Sequence, residues 1–166
     1  MDYPTIIRMA QEVARTQELP LEYSSNEGGP NNFNCYAYAL GLSSLNWYEL
    51  EVTPGFMNGP TDIENDVYYD QITNESIIPY VIEDLQVLGR KMEPDTFGNE
   101  IMKNSYKIAI YVGYEGFHFI RQNKDGSWSE KDGWGGEVQL TSHEWLMKHN
   151  PYYKFLGVYR ISKQAE

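Results

Sequence analysis

The chain has 166 residues, enough for one domain with a real core, and its 41% hydrophobic, 14% aromatic and 22% charged residues fit a globular chain rather than a disordered one. Thirteen basic against 24 acidic residues give a net charge of −11, which opposes binding to a nucleic-acid backbone or an anionic membrane surface. The single cysteine excludes an internal disulfide and a Cys-rich zinc site, and no run approaches the ~18 apolar residues of a membrane span. Neither a metal nor a cofactor is expected.

One domain, residues 1–166, is expected. Met1 to Glu18 is an amphipathic stretch containing acids, without the basic end and apolar run of a secretory signal, so the expected compartment is the cytoplasm. Within it, Thr5 to Glu18 reads as a helix with Ile6, Met9, Ala10, Val13 and Ala14 on one face, stopped by Pro20. A polar loop, Ser24 to Asn34, carries glycines, a proline and the asparagines Asn31, Asn32 and Asn34. The run Cys35-Tyr36-Ala37-Tyr38-Ala39-Leu40 then favours a short helix, with Gly41 as its C-cap.

Residues 43–72 look irregular. A second long helix is expected from about Asn74 to Leu88, starting or bending at Pro79. Strands are expected at Tyr106 to Gly113, Phe117 to Gln122, Ser127 to Lys131 and Lys154 to Ile161, with a short helix from Thr141 to Lys148. Helices first and an antiparallel sheet afterwards make an α+β domain.

Cys35 stands where a polar loop opens into a helix. A helix start lowers a thiol pKa, because free N–H groups and the macrodipole favour the anion. Asn31, Asn32 and Asn34 lie just upstream as candidate oxyanion donors, beside the Cys35 backbone N–H. Of the three histidines, His143 and His149 read as surface or capping residues. His118 lies between Phe117 and Phe119 in a strand, facing opposite to both.

Below it, Asn123-Lys124-Asp125-Gly126 signals a three-residue hairpin loop. That loop pairs Asn123 with Ser127, Ile120 with Glu130 and His118 with Asp132. Glu130 and Asp132 then share a face with His118. A two-residue turn would place Ser129 and Lys131 there instead. Glu130 is the first choice for a carboxylate that orients the imidazole, and Asp132 the second.

Cys35-Tyr36-Ala37-Tyr38 is similar to the Cys-Trp-Ala-Phe that opens the central helix of papain-type cysteine peptidases. Asn34-Cys35 with Tyr38 also resembles the start of NlpC-type cell-wall peptidases. The stretch from Trp128 to Gly136 looks like the tryptophan- and glycine-rich segment that follows the papain-type histidine. The papain-type glutamine, six residues before the cysteine, is here Gly29. The resemblance implies a papain-like fold and a Cys35–His118–acid triad, with Tyr36, Trp128 and Trp134 as candidate cleft walls. It implies hydrolysis of an amide, peptide or isopeptide, in a protein or peptide substrate. A glutamine deamidase or transglutaminase would use the same scaffold. The runner-up from another class is a non-catalytic acidic module that covers a basic protein surface; the charge is compatible with such a partner and equally with simple solubility.

Overall fold

The computed structural model describes residues 2–25, 31–58, 72–98, 100–114 and 116–164. Gly29, and most of the stretch between 59 and 72, lie outside them.

Helix α1 (Tyr3–Thr16) starts two residues earlier than its apolar period suggests, because Asp2 caps it by accepting from the Thr5 N–H at 2.9 Å. Its buried stripe is Ile6, Ala10 and Ala14. Helix α2 (Cys35–Ala39) has five residues, all buried. A 3-10 turn, Phe56–Asn58, precedes α3 (Ile77–Val87). Pro79 does not start α3. It is the third residue of the first turn, where the missing N–H has no helical acceptor to lose. Helix α4 (His143–His149) is capped by Ser142, which accepts from the Trp145 N–H.

The strands are β1 (Arg90–Asp95), β2 (Ser105–Gly113), β3 (Gly116–Gln122), β4 (Trp128–Lys131), β5 (Val138–Thr141) and β6 (Lys154–Lys163). They form one antiparallel sheet in the order β1-β6-β2-β3-β4-β5. The β3–β4 hairpin has the three-residue loop: the Asn123 N–H donates to the Ser127 carbonyl at 2.7 Å, and Gly126 takes φ +91°. Its register pairs Ile120 with Glu130 and Arg121 with Ser129.

The fold is α+β, with the cysteine-bearing helix packed against the C-terminal antiparallel sheet. Phe119, Ile108, Ile110 and Val112 turn one sheet face toward α1, α2 and α3. Ala109, Tyr111, Ile120 and Val158 turn the other toward Leu146 of α4.

Five residues are too few for a self-sustaining helix. Helix α2 is instead held at its C-terminal end by three buried side chains. Arg121 donates to the Tyr38 carbonyl at 2.9 Å, Tyr106 to Ala39 at 2.7 Å and Arg90 to Leu40 at 2.9 Å. These bonds satisfy carbonyls that a helix end leaves open, and the two guanidinium charges sit at the negative end of the peptide dipoles. The Arg121 guanidinium also lies 3.7 Å from the centre of the Tyr38 ring. Their joint effect is to fix the direction in which Cys35, at the other end, presents its thiol.

Candidate functional site

The sequence sets the N-terminus of α2 as firmly as its C-terminus. Asn34 adopts an extended backbone and caps the helix, its Oδ1 accepting from the Ala37 N–H at 3.0 Å. Its Nδ2 donates to the Val52 carbonyl at 2.8 Å. Asn34 is therefore spent on capping and tethering rather than aimed at an oxyanion. Asn31 and Asn32 line a neighbouring hollow with Tyr48, Leu50 and Trp134, separate from the pocket that holds Cys35. None of the three asparagine side chains expected around the thiol lines that pocket.

The pocket, about 420 Å³, is lined by Cys35, His118, Asp132 and Tyr153, among others. Ile120–Glu130 is the last pair of the β3–β4 ladder, and His118 and Asp132 lie beyond it. The opening is where these two strands cease to bond, and the first residue of α2 meets His118 there.

Glu130 and His118 share a sheet face because the hairpin loop fixes the register. The result is a 2.6 Å hydrogen bond between Glu130 Oε2 and His118 Nε2, both side chains being buried. The other Glu130 oxygen accepts from Gln139 Nε2 at 2.9 Å, reaching across from β5. Asp132, by contrast, is exposed on the pocket wall. The acid that holds the imidazole is Glu130.

Burial pulls the His118 pKa down, but hydrogen bonds to Cys35 and Glu130 and the negative charges of both outweigh it. The His118 pKa is pushed up to about 10. Burial raises the Glu130 pKa, yet its bond to His118 and the imidazolium charge hold it below the ordinary carboxylate value. Both groups are thus favoured in their charged forms.

Lys131, the next residue along β4, is buried and points to the opposite face. Its Nζ donates to the carbonyls of Gly133 and Trp134 at 2.8 and 2.7 Å. Desolvation lowers its pKa, and the nearby Cys35 and Asp132 charges oppose that. Lys131 ties the glycine-rich turn down beside the thiol. The turn closes by the Gly136 N–H on the Asp132 carbonyl, so tightly that a Cβ on Gly136 would lie 2.3 Å from that oxygen.

The aromatic residues are distributed differently from expectation. Tyr36 is fully buried, packed against Phe56, Phe117 and Phe119 with its hydroxyl on Asp84, and belongs to the core rather than the cleft. Trp128 meets Phe97 edge-on in the second core, away from the pocket. Trp134 borders the hollow of Asn31 and Asn32. The rings that do line the Cys35 pocket are Tyr114, Phe117, Tyr152 and Tyr153. Tyr153 lies flat against His118, with centroids 5.9 Å apart and planes 12° apart. Gln139, Lys131 and this tyrosine set were not found from sequence. The adjacent pair Tyr152-Tyr153 is the one visible signal, and nothing local tied it to a residue 35 positions earlier.

His149 is exposed and donates to the Trp145 carbonyl. His143 is half-buried, not a simple surface residue: its Nδ1 bonds the Tyr111 hydroxyl at 2.8 Å within a cage of Phe97 and Phe155. Among the described residues no group of three or more His, Cys, Asp or Glu is arranged to hold a metal ion. Among them, too, no helix is long and apolar enough to cross a membrane.

Residues 24–159 match the sequence profile of a family described as a domain of unknown function, DUF7689. No curated protein and no solved structure matches the chain.

Proposed function

The chain belongs to the DUF7689 family, and for it we propose a papain-like thiol hydrolase that cleaves an amide bond through Cys35, His118 and Glu130. The observation that carries the reading is the position of His118. It lies between a thiol and a buried carboxylate, in a pocket open to solvent. Glu130 takes the Nε2 side of the ring, which leaves Nδ1 for the thiol.

His118 draws the proton from Cys35, and the raised imidazole pKa favours the resulting thiolate–imidazolium pair. The thiolate attacks the carbonyl carbon, forming a C–S bond and an oxyanion held by the Cys35 backbone N–H. As the intermediate collapses, the C–N bond breaks and the amine leaves with the His118 proton. Water then gives a proton to His118 and its hydroxide to the thioester. The acid departs and the Cys35 thiol is restored. Glu130 holds the imidazole tautomer throughout, and Gln139 holds Glu130. If the amide is a glutamine side chain, the same steps release ammonia and the enzyme is a deamidase.

The test is the rate of Cys35 alkylation by iodoacetamide in the native protein. Fast labelling that His118→Ala slows by at least tenfold supports the hydrolase. Labelling that stays slow until denaturant is added, and is indifferent to His118, overturns it in favour of a non-catalytic binding module.

A further inference from the structure

The rings in the pocket form a continuous path. Tyr114 faces Tyr152 with centroids 6.3 Å apart, Tyr152 meets Tyr153 edge-on at 5.8 Å, and Tyr153 stacks on His118. Tyr114 and Tyr152 are 82% and 59% exposed, so the path runs from open rim to buried base. Asp132 lies on the wall of the same pocket, exposed, and among the described residues it has no ion-pair partner.

Among the described residues the lining contains no lysine or arginine. Lys131 is committed to two backbone carbonyls on the opposite face, and Lys154 pairs with Glu75 at 3.0 Å. His118 is answered by Cys35 and Glu130. The negative charges at the site therefore exceed the positive ones. Burial first, and then the charges of Cys35, Asp132, Tyr152 and Glu130, push the Tyr153 hydroxyl pKa up to about 12.

Electron-rich ring faces beside an unpaired carboxylate are the surroundings a desolvating cation requires. An apolar side chain seated here would cover Asp132 and give it no partner. An acidic one would meet Asp132 and Glu130 as like charges. The pocket volume of about 420 Å³ admits one long side chain.

We propose that the Tyr114–Tyr152–Tyr153 pocket is a subsite for a cationic side chain, which selects protein or peptide substrates with lysine or arginine beside the scissile amide. The substrate assignment rests on the hydrolase reading, whereas the cation subsite stands on its own geometry.

Two measurements separate them. The first is binding of Nα-acetyl-lysine methylamide and of its norleucine analogue, followed by NMR shifts of the pocket tyrosines in Cys35→Ala protein. The lysine ligand binds at least about tenfold more tightly, and Asp132→Asn brings the two ligands to within about twofold. Equal affinity in the unsubstituted pocket, tighter norleucine binding, or a preference that survives Asp132→Asn overturns the subsite. The second is inactivation of the native enzyme by a lysine chloromethyl ketone against its norleucine counterpart. Faster inactivation by the lysine reagent supports the substrate assignment, and equal or reversed rates overturn it. A failed iodoacetamide test removes the hydrolase and its substrate but leaves the binding difference to be measured.

Discussion

The Tyr36 hydroxyl donates to the Asp84 carboxylate at 2.5 Å, joining the residue next to Cys35 to the middle of α3. Asp84 also accepts from the N–H groups of Gly55 and Met57 at 2.7 and 3.0 Å. Burial raises its pKa to about 6, against the opposing pull of these three hydrogen bonds. The folded form thus binds this proton more tightly than the unfolded chain does. Stability from Asp84 is greatest at low pH and declines as pH rises from about 4 to about 6. Tyr36→Phe removes a donor to the charged form. It should cost about 1–3 kcal/mol at pH 7.5 and less at pH 5, read by chemical denaturation. An equal loss at both values would show that the hydroxyl does not serve the carboxylate.

The two members of the site pair titrate in senses opposite to each other. His118 has its folded pKa raised from 6.5 to about 10, so its contribution is fully present below about 6.5 and is lost as pH climbs toward 10. Glu130 has its folded pKa lowered, so its contribution is present above the usual value of 4.5 and is lost on acidification. His118→Gln should flatten the alkaline fall in melting temperature between pH 6.5 and 10. If the variant and the parent fall in parallel, the ion pair is not what stabilises the folded form there.

Glu130→Gln keeps the shape of the acid but removes the charge that supports the imidazolium. Native Cys35 alkylation should slow by about ten- to a hundredfold, with its pH profile shifted, while Gln139→Ala slows it by only about two- to tenfold. Comparable losses from the two substitutions would mean that the amide of Gln139 acts directly rather than by positioning Glu130.

Asn34→Ala deletes both the helix cap and the tether to Val52. It should cost about 1–3 kcal/mol, and Asn34→Asp, which keeps an oxygen cap, should cost roughly half as much. If Ala is tolerated without loss of stability, the cap is not what holds α2.

The hairpin was the most legible part of the chain. Asn123 and Gly126 belong to a turn whose backbone needs those residue types, and the turn fixes the register by itself. That register carries Glu130 onto the face of His118 over a separation of 12 residues. The two strands missing from the sequence reading, β1 and β5, are the sheet's edges. Arg90–Asp95 shows no apolar alternation, and Val138–Thr141 alternates over only four residues, too short a run to stand out, so both edge strands owe their pairing to a distant partner. Tyr36 and Trp128 show the limit for aromatic residues. Ring chemistry suits a cleft and a core alike, and only packing against Phe56, Phe117 and Phe97 decided for the core. The cation-binding set was illegible for a related reason, because Tyr114, Asp132 and Tyr152 come from three separate turns.

Arg121, Tyr106 and Arg90 grip the far end of α2 from three different strands. A helix of five residues has no shape before the sheet exists to hold it. His118 and Glu130 belong to one hairpin, whereas Cys35 is held beside them by anchors on β3, β2 and β1. Loosening any one of these anchors should therefore separate the sulfur from His118 while the His118–Glu130 pair stays together.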